Sequence, residues 1–327
     1  MSSTPDTWQV VADAAAFQYL EPLLAAHRSL RPVRALELNA GEGWKTPADD
    51  VAAVLIVGDR RRSPRRALPG LFLRDRSGRR VPAGWLPNVK KRLATFAVAA
   101  AGTVARARAG LPRGPLILLG QWEDRSLRLA STTELGFGSE TQPLPVFRWT
   151  AERIARTDLL HALRGGPGLA IYFGHGRARG WAGYHGVRAP HLEDALGEPL
   201  GAVLSLTCHT VNRHKVGLSF AEEMVLMGMC AASLGATGRT RHLDNGCLAN
   251  NLCSALASSP AATIGDLLLH AGLTDRQADS IYRLIGDPLA PLIGAADSLE
   301  RARQVFAPAP DDPLPPLPEY EEDLSAA

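Results

Sequence analysis

Short apolar runs, each bounded by glycine or by charged turn residues, set the pattern of this chain. Val33 to Leu38 is strand-like, and Val51 to Val57, Leu116 to Leu119, Gly168 to Phe173, Ala202 to Leu206 and Met229 to Leu234 are rich in β-branched or other bulky apolar residues. Such runs read as strands buried on both faces, the habit of a parallel sheet. Between them the apolar positions space out at helical intervals. Trp8, Val11, Ala15 and Phe17 through Leu24 predict a helix, interrupted or ended near Pro22. Asn88 is placed to cap a long helix with Val89, Leu93, Phe96, Ala97, Ala100 and Val104 on one face, and Gly110 to end it.

The strand at Leu116 ends at Gly120-Gln121-Trp122-Glu123-Asp124. The stretch after Asp124 to Trp149 contains Gly and Pro and reads as loop with a short strand at most, followed by a helix over Thr150 to Leu163. Ser219-Phe220-Ala221-Glu222 is a capping-box pattern opening a short helix that Gly228 stops before the strand at Met229. That β–α–β run implies parallel strands and a right-handed crossover. Asn245, Ser259 and Thr274 mark the starts of three last helices, the third closing at Leu284-Ile285-Gly286-Asp287-Pro288. The fold class expected is α/β, a mostly parallel sheet flanked by helices. Residues 1–112 form a smaller N-terminal α/β subdomain, 113–305 the main domain, and 306–327 a Pro-rich, acidic tail whose composition buries no core.

Composition narrows the function classes. With 46% hydrophobic and 21% charged residues, the 327-residue chain is ordinary for a globular protein. A net charge of +3 points to no nucleic-acid partner. The one basic cluster, Arg60-Arg61-Arg62-Ser63-Pro64-Arg65-Arg66, lacks interleaved aromatics and reads as a solvated loop. No basic and apolar leader opens the sequence, and no uncharged apolar segment reaches a membrane span. Cys208, Cys230, Cys247 and Cys253 lack a secreted-framework spacing, so a cytoplasmic, reducing setting is expected, with no membrane partner.

Two of the apolar runs end on reactive side chains. Gly168 to Phe173 leads into Gly174-His175-Gly176, and Ala202 to Leu206 into Thr207-Cys208-His209. In open α/β sheets, chemistry gathers beyond the carboxyl ends of the strands. His175 precedes Cys208 by 33 residues, the length of a strand–helix–strand crossover. Adjacent strands would therefore set an imidazole beside a thiol, the arrangement that makes a thiolate nucleophile. The N–H groups of Gly176 and Cys208 are candidate oxyanion donors. On spacing alone, a buried Cys208 and a structural His175 remain an equal alternative. The His and Cys residues between His175 and Cys253 show no ligand-pair spacing for zinc, and the Gly-rich turns lack the Lys-Ser/Thr of a phosphate loop; no metal or cofactor is expected.

The segment Gly168 to about Leu292 resembles the catalytic core of the gingipain-type cysteine peptidases, in the caspase-like clan CD. The motifs in order are Tyr172-Phe173-Gly174-His175-Gly176, Leu204-Ser205-Leu206-Thr207-Cys208, Ser219-Phe220-Ala221-Glu222, Leu234-Gly235-Ala236-Thr237-Gly238 and Leu284-Ile285-Gly286-Asp287-Pro288. Leu55-Ile56-Val57-Gly58-Asp59 resembles that family's non-catalytic subdomain more loosely. The resemblance implies a caspase-like fold and an endopeptidase with Cys208 as nucleophile and His175 as general acid and base. It also implies a charged P1 residue. Glu123 and Asp124, at a strand end bordering the site, are candidates to hold a P1 Arg or Lys, and Trp181, His185, Thr237 and Asp244 lie on segments that could line the same cleft. The partners expected are a protein or peptide substrate and a regulatory protein. A reading from another class is a caspase-like signalling or interaction module that is inactive or waits for a partner.

Overall fold

The computed structural model describes residues 5–38, 46–59, 68–137, 144–193, 197–258, 261–274 and 281–306. The basic cluster at 60–66, Ser259 and the tail beyond Phe306 lie outside the described residues. In chain order the first elements are β1 (Thr7–Ala12), α1 (Ala14–Arg28), β2 (Val33–Glu37), β3 (Val51–Gly58), β4 (Phe72–Arg74), β5 (Arg80–Pro87) and α2 (Lys90–Arg108). Then come β6 (Leu116–Gly120), α3 (Asp124–Gly136), β7 (Val146–Arg148), α4 (Arg156–Leu163), β8 (Leu169–Phe173), β9 (Gly176–Arg177), β10 (Gly180–Trp181), β11 (Val187–Arg188) and α5 (Ala189–Glu193). The last are β12 (Leu200–Leu206), α6 (Phe220–Leu226), β13 (Cys230–Ala236), α7 (His242–Ser258), α8 (Ile264–His270), β14 (Tyr282–Gly286) and α9 (Ser298–Gln304).

One large sheet runs in the order β2-β1-β3-β5-β14-β13-β12-β8-β6-β7, with β4 paired to β5, and β9 to β11 form a small second sheet. Every neighbour on that main path is parallel except β13 and β14. The sheet is therefore two parallel halves running in opposite directions. Their carboxyl ends lie on opposite edges. The central strands β3, β5, β6, β8, β12 and β13 are buried almost throughout, as a sheet covered on both faces requires. Helix α1 packs on α2, which also meets α6 and β13; α3 packs on α7, and α7 on α8. The boundary expected at 112/113 falls between α2 and β6, but the sheet itself continues across it where Trp85 of β5 pairs with Ile285 of β14.

The apolar runs are strands where the pattern put them. Differences arise where local signals met tertiary contacts. Trp8 and Val11 belong to a strand, β1, whose six residues are all buried. Helix α1 runs through Pro22 because Leu20, Leu23 and Leu24 are buried beside it. Burying three leucines at roughly 1.5–3 kcal/mol each outweighs the ~3 kcal/mol that an interior proline costs. Asn88 does not cap α2: Val89 holds that position, and the Asn88 amide donates to Asp13 Oδ2 at 2.5 Å.

The expected helix over 150–163 is a turn followed by the shorter α4. Asn245 lies inside α7 rather than at its start, and Thr263 supplies a capping box for α8. Leu284-Ile285-Gly286 is a strand, not a helix end, pairing with β13 on one side and β5 on the other. The Ser219–Glu222 capping box forms as the sequence predicts.

Candidate active site

Three adjacent parallel strands end in register. Gly120 of β6 pairs with Phe173 of β8, and Phe173 with Leu206 of β12. Two residues further along, β8 and β12 deliver His175 and Cys208 to the same edge. Polar contacts lock this edge. The Gln121 N–H donates to the Phe173 carbonyl at 2.9 Å. The His175 N–H donates to Gln121 Oε1 at 2.8 Å, and the Thr207 hydroxyl to the Gly174 carbonyl at 2.7 Å. Gly176 lies so close to the second strand end that a Cβ there would stand 2.5 Å from the Cys208 carbonyl oxygen. A side chain at that position would drive the two strand ends apart.

The floor beneath His175 is aromatic. Tyr172 donates its hydroxyl to the His175 carbonyl at 3.1 Å and accepts from the Gly183 N–H at 3.0 Å. Burial pushes its pKa far above the usual phenol value, so it stays a neutral donor. Trp181 stacks on Tyr172 with ring centroids 4.6 Å apart, meets Phe220 edge-on, and donates its indole N–H to Ser205 Oγ at 2.9 Å. It is fully enclosed and supports the site from below rather than lining it.

The imidazole of His175 is exposed, and its Nε2 lies 3.1 Å from Glu123 Oε1. Cys208 Sγ accepts from the Thr240 N–H at 3.3 Å and lies 3.4 Å from Thr240 Oγ1. Thr240 is held by Asn245, whose amide donates to Thr240 Oγ1 at 3.1 Å and to the Leu206 carbonyl at 2.9 Å. Tyr282 donates in turn to Asn245 Oδ1. No hydrogen bond joins the two reactive side chains among the described residues. Both open instead onto one cavity of about 670 Å³.

That cavity is lined by the first turns of α3 and α7, by Phe173, Leu206 and Leu129, and by Arg239. Of the expected cleft residues it contains Glu123 and Asp124. Glu123 Oε1 is engaged by His175, and the Glu123 side chain remains partly exposed in the cavity. Thr237 is buried at the end of β13, where its N–H and hydroxyl donate to the Ile281 carbonyl. Asp244 lies in the first turn of α7 and takes two hydrogen bonds from Arg241. Neither lines the cavity. His185 pairs with the ring of Trp122, centroids 5.5 Å apart. His209 takes a left-handed φ of 62° and its ring meets Asn212 at 3.5 Å, outside the cavity.

Thr240 and Asn245 were not legible as site residues. A buried Asn whose partners Leu206 and Tyr282 lie 39 and 37 residues away has no local signature, and only a polar residue inside an apolar helical face hinted at it. Arg125, Arg128 and Arg239 were missed for another reason: arginines on a helix or in a loop read as solvated charge. Among the described residues, no group of three or more His, Cys, Asp or Glu side chains is arranged to hold a metal ion.

The sequence profile of peptidase family C25 matches residues 130–293. No curated protein sequence matches the chain significantly. Among solved structures, the chain is similar to the Arg-specific cysteine proteinase gingipain R, at 12% identity and a TM-score of 0.64 over 89% of this chain and 79% of that one. It is also similar to the complex of Porphyromonas gingivalis RgpB pro- and mature domains, at 13% identity and a TM-score of 0.63 over 87% of this chain and 79% of that one. A third, described only as a protease, matches at 14% identity and a TM-score of 0.63 over 89% and 79%. At these identities the likeness is one of fold: caspase-like, α/β, with a mostly parallel sheet and flanking helices.

Proposed function

The chain belongs to peptidase family C25 and is a cysteine-type peptidase, and from that premise we propose that Cys208 is its nucleophile and His175 its general acid and base. The observation that carries the reading is the shared register of β8 and β12, which puts both side chains on one cavity. The Cys208 thiolate attacks the peptide carbonyl carbon, forming the C–S bond. The C–N bond then breaks as His175 protonates the leaving amine, which leaves a thioester. His175 next takes a proton from water, whose oxygen adds to the thioester carbonyl. Loss of the C–S bond releases the carboxylic acid and restores the thiolate beside the protonated His175. The N–H groups of Gly176 and Cys208 are the proposed donors to the oxyanion. Glu123, 3.1 Å from the imidazole, is a positioning residue for His175.

Proteins or peptides are the substrate class, cleaved internally and with restricted specificity set by a charged P1 residue. The expectation of a P1 Arg or Lys is supported by Asp124 and Glu123, both of which line the cavity, with Glu123 Oε1 held at His175. A cytoplasmic, reducing setting belongs to the proposal because it would keep Cys208 a thiol, and so does a regulatory protein partner. The test is Cys208→Ala in the full chain, assayed on a peptide library. Cleavage should fall to background, together with labelling by a thiol-directed peptide probe; undiminished turnover would overturn the assignment.

A further inference from the structure

The charge lining the cavity carries an inference about substrate choice, which rests on the reading of Cys208 and His175 as the reacting pair. Arg125 and Arg128 stand one turn apart on α3, and Arg239 directly precedes Thr240, the residue touching Cys208 Sγ. All three arginines are exposed and line the cavity, and none forms an ion pair among the described residues. Two carboxylates face them. Glu123 is bound to the His175 imidazole, and Asp124, four residues before Arg128, is within reach to offset one guanidinium. Asp244, the nearest acidic group on α7, is held by Arg241. Three guanidinium groups against two carboxylates, Glu123 and Asp124, leave the balance of Arg against Asp and Glu in the cavity positive.

Guanidinium groups recognise carboxylates through paired, charge-assisted hydrogen bonds. In a cleft with apolar walls their field is focused on whatever enters, and Leu129, Phe173 and Leu206 supply such walls for the methylenes of a side chain. We infer that the pocket selects an acidic side chain, Asp or Glu, on the residue whose carbonyl Cys208 attacks. A Lys or Arg there would meet like charge on Arg125, Arg128 and Arg239, offset in part by Asp124 and by Glu123, whose Oε1 is held at His175. The selectivity is electrostatic and lies on exposed side chains, so it weakens as salt is added.

Three acyloxymethyl ketone peptides, identical except for Asp, Lys or Ala at P1, test this on the full-length protein through their rates of labelling at Cys208. The Asp probe should react about tenfold or more faster than the Lys probe. That ratio should fall severalfold as salt rises from about 20 mM to about 500 mM. Arg239→Gln and Arg128→Glu, each read separately, should lower the Asp-to-Lys ratio, the charge reversal more. Equal or faster labelling by the Lys probe would overturn the inference while leaving Cys208 as the nucleophile. An Asp preference that neither salt nor either substitution moves would overturn the assignment to these arginines. If none of the three probes labels Cys208, the reading of the site falls, and this inference with it.

Discussion

The two halves of the sheet point their carboxyl ends in opposite directions, and each edge carries a histidine paired with a carboxylate. Where β14 ends, His27 Nε2 meets Asp287 Oδ2 at 2.8 Å, with the side chains 2% and 0% exposed. Where β6 and β8 end, His175 Nε2 meets Glu123 Oε1 at 3.1 Å, with the side chains 64% and 45% exposed. The chemistry of the pairs is the same and their surroundings are not. His27 lies against the Trp8 ring, centroids 4.2 Å apart, and Asp287 also accepts the Leu289 N–H. That pair ties the first helix to the last strand of the sheet and has no room to exchange partners. The His175 pair is open to solvent and to the cavity, as the role proposed for its imidazole requires. A histidine–carboxylate contact becomes reactive or structural through burial.

Substitutions can break this contrast. The largest effect expected is from His175→Ala, which should lower kcat/KM by about 10²–10⁴-fold while leaving the urea midpoint nearly unchanged. A large loss of stability would show that the exposed pair is structural after all. Asp287→Ala should do the reverse. Breaking a buried pair by removing one partner costs about 3–5 kcal/mol, read as a shift in urea unfolding, with kcat/KM per folded molecule retained. A stability change below about 1 kcal/mol would deny the pair its structural role.

Glu123→Gln should have a smaller effect, lowering kcat/KM about tenfold without moving stability; an unaltered rate would mean that the carboxylate does not position His175. The mildest test concerns thiols. Burial pushes the Cys230 thiol up and the Cys253 thiol up to about 12, so both stay protonated and unreactive at pH 8. Cys247 is exposed and Cys208 half-buried, and these two should take up iodoacetamide first. Intact-mass counting would show it, and early modification of Cys230 would contradict the packing of β13.

Local pattern revealed some elements and hid others, for identifiable reasons. Strands β3, β6, β8, β12 and β13 are continuous apolar runs, and a run of that length has few alternatives. Strand β5 was hidden because Pro82, Gly84 and Pro87 read as breakers; pairing with β3 and β14 and burial outweigh them. Helix α3 was hidden because its buried face is made of Ser126, Ala130 and Thr133. Small polar residues at helical spacing leave no apolar stripe. That helix carries Arg125 and Arg128, so the charge of the cavity was hidden with it. Gly286-Asp287-Pro288 was legible as a motif but not as to place. Only the antiparallel pairing of β13 with β14 puts Asp287 a full strand length from Cys208.

Local sequence is enough to place His175 and Cys208 just beyond two buried strands, because run length, flanking glycines and crossover spacing are local properties. It also determined the α/β class, through the alternation of short apolar runs and helical spacing. The tertiary structure alone decided which charges surround that pair. Glu123 is taken by His175, Thr240 is held against Cys208 by Asn245, and three arginines converge on one cavity. Electrostatic fields depend on distance through space, and residues far apart in the chain acquire those distances only when the sheet closes.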